Sequence, residues 1–278
     1  MENSVFKLVA KKRMMKNYCK CFIVSVFPFI SFLLLATANY FLLLLLNNVK
    51  LNEYFSLYGE YVRFSAIGIS ITLSLFAYKS LKLCVDNYFL LKTLNKRTTL
   101  IKVIKCVSLR QCFTNFMVSV IRFCLSISWF LVYFSPCIAV SLLLIYSYKY
   151  GEYGFSINLT LFISAIILFI VGAFFFYITL KRYTMSSFVI LTDKEKNPLN
   201  VIVKSINFME NHSVKYAVYC LSYSGWLLSC IFIVPIVYVL PYITIGKWCF
   251  KYSLTASEIT ESKPEKPIIF YFNKRVEN

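Results

Sequence analysis

Few residues of this sequence have side chains suited to chemistry, and their spacing makes no catalytic pattern. His212 is the single histidine, and the ten cysteines form no CxxC pair and no Cys/His cluster. A zinc site built on Cys and His is therefore not expected. Most cysteines lie within apolar runs or at their inner ends, where a thiol serves as a small apolar packing group. S-acylation of Cys19 and Cys21, beside the first run, is the alternative. No GxxxxGK[ST], HExxH or GxSxG occurs, nor a GxGxxG in a strand-to-helix setting. Paired-carboxylate or Ser/His/Asp chemistry has little to draw on. His212 reads as a polar residue at a helix end, not a proton carrier. The expectation is a protein that is no enzyme and holds no cofactor or metal.

Ionisable residues inside apolar runs commonly line transport paths. Here Asp86 and Arg122 both fall near inner ends, and Arg122 reads as snorkelling to the surface. Asn39 and Asn158 read as partners in hydrogen bonds between helices. Pro136 and Pro235 could interrupt helices at a transport site, but a simple kink is the commoner outcome.

The elements that would carry these residues follow from composition. Of 278 residues 59% are hydrophobic and 15% charged, against about 45–50% and about 25% in soluble domains. The composition predicts an all-α, polytopic membrane protein. Its net charge of +18 lies between apolar segments and makes no stripe along one surface, which argues for membrane topology and against nucleic acid.

A bilayer core needs about 20 apolar residues per helix. Runs of that kind predict spans at 22–46, 64–82, 123–148 and 157–180. The second is short, its clearest part ending at Tyr78 and the rest extending past Lys79. Placing Arg122 at the inner surface shortens a run that is otherwise too long to cross once. The first span reads as an uncleaved anchor, since apolar residues continue past Ala36-Thr37-Ala38.

The last apolar stretch, Tyr216 to Tyr252, would be about 55 Å long as one straight helix. It reads as a hairpin of two spans, 216–232 and 236–252, turning near Pro235. The alternative is one span and a surface helix from Pro241. Six spans would place 26 of the 30 Lys and Arg on one side and three in the opposite loops. Because such bias fixes orientation, both termini are expected in the cytoplasm. Tyrosines 54, 58, 61, 146, 148, 150 and 153 crowd the outer edges, as an interfacial belt does.

Two cytoplasmic surface helices are expected. One carries Leu100, Ile101, Ile104 and Val107 among Lys102, Lys105 and Arg110, a pattern suited to anionic lipid or to a plain solvated loop. The other starts at an Asn197 N-cap with Pro198 at the first position, and lines up Leu199, Ile202, Val203, Ile206 and Met209. Residues 1–254 make one membrane domain and 255–278 a polar cytoplasmic tail. On the fifth span Ser222, Gly225 and Ser229 form a small-residue stripe flanked by Trp226, a candidate helix-packing seam. Pro241 completes the residues expected to act structurally.

The segment from Tyr183 to Leu254 carries Val189-Ile190-Leu191-Thr192-Asp193, Asn197-Pro198, Ser205, Met209 and His212. Leu221-Ser222-Tyr223-Ser224-Gly225-Trp226, Pro241-Tyr242, Phe250 and Tyr252 follow. In this order they resemble a family of uncharacterised bacterial polytopic membrane proteins, defined only as a domain of unknown function. The sequence departs from it at Asn211, where members have Gly, in the Gly-free run Ile231 to Pro235, and where Lys251 separates Phe250 from Tyr252. The first half shows no comparable signature. The resemblance implies a polytopic fold and supplies no catalytic residue.

The leading expectation is a non-enzymatic module of the plasma membrane that packs with or regulates a partner protein, a second copy or the lipid environment. Anionic lipids of the inner leaflet are its expected contact. The alternative is a permease-like transporter or exporter subunit.

Overall fold

The computed structural model describes residues 3–15, 17–48, 56–94, 103, 107–150, 154–229 and 233–262. Among these the ordered elements are all helices: α1 (Asn3–Met15), α2 (Tyr18–Asn48), α3 (Ser56–Thr93), α4 (Leu109–Tyr150), α5 (Phe155–Lys181), α6 (Ser186–Thr192), α7 (Pro198–Met209), α8 (Ser213–Leu221), α9 (Ser224–Ser229) and α10 (Ile233–Ser262). Four stretches, beginning with α2, α3, α4 and α5, are long and apolar enough to cross a membrane. The expectation of six is thereby corrected.

The correction falls on the last apolar stretch. The predicted fifth span breaks into α8, of 9 residues, and α9, of 6, on either side of the turn at Ser222-Tyr223. At 1.5 Å per residue neither piece approaches the ~30 Å of a bilayer core. The break follows from Ser222-Tyr223-Ser224-Gly225, a run whose hydroxyls compete for backbone hydrogen bonds and whose glycine disfavours helix. Ser222 Oγ donates to the Tyr219 carbonyl at 2.6 Å. The hairpin turn near Pro235 is not seen either, because Pro235 sits in the first turn of α10, where a missing N–H is tolerated. Pro241 is buried inside α10, so the alternative of a helix starting there fails as well.

The spanning helices pair as two hairpins. In α2–α3, Phe32 meets Tyr78 at 5.6 Å and the Asn39 amide donates to Ser74 Oγ at 2.8 Å while accepting from Ser70 at 2.5 Å. In α4–α5, Trp129 Nε1 donates to the Tyr183 hydroxyl at 2.9 Å, Tyr133 bonds Thr179 at 2.9 Å, and Ser147 bonds Asn158. Both asparagines thus join helices. A Cβ at Gly172 would stand 2.7 Å from the Tyr133 carbonyl oxygen, so the two backbones approach closely there. α4 runs through Pro136 unbroken.

The buried core lies at one end of these hairpins. Of the most apolar window of each spanning stretch, only 17%, 0%, 6% and 6% is buried. The main core joins Phe6, Val9 and Met14 of α1 to Cys21 and Val24 of α2, Tyr88 and Phe89 of α3, and Ile245 and Cys249 of α10. A second cluster packs Leu83, Val118, Ile190, Val201 and Ile202 between α3, α4, α6 and α7. α1, α6, α7, α8 and α10 therefore form a cap on the ends of the hairpins. α10 meets the ends of α2 and α3 through Tyr18 and Asp86.

The expected helix at 198–209 is α7, and Asn197 Oδ1 accepts from the Leu199 amide at 3.1 Å. Its buried residues are Val201, Ile202, Ser205 and Met209, whereas Leu199 and Val203 of the expected face are exposed. Packing against α4 and α6 rotated the buried stripe by part of a turn. The expected surface helix near Leu100 to Val107 lies almost wholly outside the described residues, as does the tail beyond 262.

Candidate functional site

Helices longer than the bilayer is thick carry their surplus turns into the cap. α3 has 38 residues and α4 has 42, so they measure about 57 and 63 Å. In α3 the large apolar residues are exposed up to Leu75 and buried from Leu83. In α4, buried Val118 gives way to exposed Phe123, and in α5 exposed Phe175 gives way to buried Thr179. Each boundary holds a cation: Lys79 and Lys82 on α3, Arg122 on α4, Lys181 on α5. Asn115 donates to the Lys79 carbonyl at 2.9 Å, holding the α3 and α4 boundaries side by side.

α10 adds two more cations at this level. Lys251 Nζ donates to the Thr184 carbonyl at 2.7 Å and lies 4.8 Å from the Trp248 ring centroid. Removal from water, reinforced by Arg122 and Lys247 and opposed by Asp86, pushes its ammonium down to about 8. Arg122 Nη1 donates to Ser186 Oγ at 3.2 Å. Asp86, the one carboxylate in the four candidate spans, lies near Ser187, Trp248, Lys251 and Lys82. Seven charged residues from four helices thus lie near one depth. Periodicity could not have shown this, although the single acid at the end of a basic span was a visible signal.

Beside this cluster the cap is closed by aromatic rings. The Tyr219 and Tyr223 hydroxyls bond each other at 2.6 Å, and Phe250 stacks on Tyr219 with centroids 5.1 Å apart. A Cβ at Gly246 would strike both hydroxyls, so only glycine leaves room for the pair on α10. Burial pushes both phenols well above their ordinary value. Lys7 Nζ lies 5.0 Å from the Tyr223 ring centroid and donates to the Ser222 carbonyl at 3.3 Å, closing the C-terminus of α8. On the outer surface, Lys204 pairs with Asp193 and Glu195, each at 3.2 Å. The hydrogen bond from Lys204, then those from the Asn197 and Lys196 amides, hold the Glu195 carboxyl below its usual range.

The residues singled out as a packing seam are not brought together. Gly225 is exposed on α9 with nothing within 4 Å of a would-be Cβ. Ser222 is an exposed C-cap, and the Ser229 side chain lies outside the described residues. Trp226 is half exposed, with its ring 6.4 Å from both Tyr238 and Tyr242. Close glycine contacts occur instead at Gly172 and Gly246. His212 is the N-cap of α8, where its carbonyl accepts from the Tyr216 amide at 2.9 Å.

Neither the curated proteins nor the solved structures compared with this chain give a match. Residues 7–258 match a family described as protein of unknown function, DUF975. The match extends the resemblance from the Tyr183 to Leu254 segment back through the first half of the chain, and so takes in both hairpins and the cap. On that coverage the chain belongs to the DUF975 family of proteins of unknown function.

Proposed function

We propose that this protein is a non-enzymatic module of a bacterial plasma membrane, with its cap and both termini in the cytoplasm, that packs against a second copy or a partner membrane protein. The observation that carries this reading is the division between a well-buried cap and spanning helices whose flanks are almost wholly exposed. Apolar flanks of this extent are surfaces for lipid and for other helices. The cap also gathers the cationic segments at one end of the hairpins, as the positive-inside bias requires of a cytoplasmic face.

Two measurements test it. Cysteines at Ser257 and at Glu152, in a cysteine-reduced background, are exposed to an impermeant thiol reagent on intact cells; labelling at Glu152 alone is expected, and labelling at Ser257 overturns the orientation. Crosslinking in native membranes, followed by purification in mild detergent, should give a discrete larger species. A chain that remains monomeric and alone contradicts the packing role.

A permease-like role is the second reading, favoured by the enclosed Asp86 among cations. Its test is solute or ion flux in proteoliposomes that Asp86→Asn abolishes without loss of folding.

A further inference from the structure

Lys79, Lys82, Arg122, Lys181, Lys247 and Lys251 come from four helices and converge where the spanning segments enter the cap. Lys251 donates to the Thr184 carbonyl at 2.7 Å and Arg122 to Ser186, two residues further on, at 3.2 Å, while Asn115 of the same helix as Arg122 holds the Lys79 carbonyl at 2.9 Å. Against six cations stands one carboxylate, Asp86. Repulsion among charges so placed is strong wherever water is partly excluded. An added anion would relieve it.

The depth identifies the anion. The cluster lies at the change from exposed apolar side chains to protein-buried ones on α3 and α5, which is the level of lipid headgroups in a bilayer. Arg is a fork-shaped donor suited to phosphate oxygens and Lys supplies point charges. The Lys181 ammonium, 4.1 Å from the Tyr177 ring centroid, is held at that rim. We propose that these cations bind the phosphodiester of an anionic phospholipid headgroup, held between the spanning helices and α10. Basic pockets between membrane helices on the cytoplasmic side have this use in general. The inference rests on the membrane reading given above, but not on which side the cap occupies.

The test uses the full chain purified in a non-ionic detergent, where sidedness plays no part. Thermal unfolding is followed with added phosphatidylglycerol, with phosphatidylcholine, and with inorganic phosphate at matched ionic strength. Phosphatidylglycerol should raise the midpoint by about 3 °C or more, with little change from the other two. Lys79→Gln combined with Lys247→Gln should lose that rise, and so should Lys82→Gln alone, whose exposed side chain makes misfolding no explanation. Lys11→Gln with Lys215→Gln, exposed lysines outside the cluster, should keep it. Equal midpoints in the two lipids, or equal losses in cluster and control variants, overturn the site. A rise reproduced by inorganic phosphate overturns the lipid as its ligand. Neither result bears on the packing role, which crosslinking decides separately.

Discussion

Arg13 on α1 donates through Nη1 to the backbone carbonyl of Thr93, eighty positions further along, at the end of α3. The same guanidinium reaches Cys249 Sγ on α10 at 4.0 Å. One side chain therefore closes the terminal carbonyls of a spanning helix and fixes both outer helices of the cap to it.

Arg13→Met should remove this closure and destabilise the protein by about 2 kcal/mol, roughly 4–8 °C in the midpoint of thermal unfolding. Arg13→Lys should recover part of the loss, since it keeps the charge but not the planar guanidinium that places Nη1 between Thr93 and Cys249. A midpoint unchanged in the Met variant would show that the contact contributes nothing.

Gly172→Ala gains about 1 kcal/mol of helix propensity but drives a methyl group into the Tyr133 carbonyl oxygen, 2.7 Å from the new Cβ. Backbone cannot swing aside as a side chain can, so the overpacking cost of about 1–3 kcal/mol should win. Gly225→Ala, which meets nothing within 4 Å, should be neutral or slightly stabilising. Unfolding midpoints in the opposite order would refute the assignment of the close approach.

Asn39→Leu should loosen the α2–α3 hairpin by about 0.6 kcal/mol, and by less than about 1.7 kcal/mol, since the amide serves Ser70 and Ser74 together. Double substitution with Ser74→Ala should cost little more than Asn39→Leu alone. Fully additive losses would mean that the two side chains do not act on each other.

Lys251 gives a pH dependence with a definite sign. Unfolded, it keeps its proton to about 10.5; folded, it releases it near 8. Between those values the unfolded chain binds more protons, so this residue makes stability rise with pH, and below 8 the penalty of its enclosed charge is fully present. The groups facing it are Asp86 of α3, Arg122 of α4, Cys220 of α8, and Lys247 and Trp248 of its own helix. In lipid-free detergent the midpoint of the native protein minus that of Lys251→Met should increase from pH 8 to 9. A constant difference would contradict this. Cysteine and tyrosine ionisation complicates higher pH.

The four spans and the Asn197 cap were legible because long apolar runs and capping residues act locally. The run from Tyr216 to Tyr252 misled for a physical reason: hydropathy measures a preference for leaving water, and protein core satisfies it as well as lipid does. Tyr219, Tyr223, Ile245 and Cys249 are buried by neighbouring helices of the cap. The small-residue spacing at Ser222, Gly225 and Ser229 carries no information about what faces it, and Gly225 meets nothing within 4 Å. Gly172, in a run of Phe and Ile, had no such pattern and still marks the close approach. The boundary cluster needed the fold itself, because Asp86, Arg122 and Lys251 belong to three different helices.

The contact of α1 with α10 sets an order of events during synthesis. Arg13 and Cys249 are 236 positions apart, so at about 5–20 residues per second the ribosome delivers the second roughly 10–50 s after the first. For that interval the apolar face of α1, with Phe6, Val9, Ala10 and Met14, has no partner from α10. A chaperone or the bilayer surface must shelter it meanwhile. A ribosome stalled before residue 233 would release a chain whose four spans are inserted and whose first helix stays bare, a signal that quality-control proteases can read.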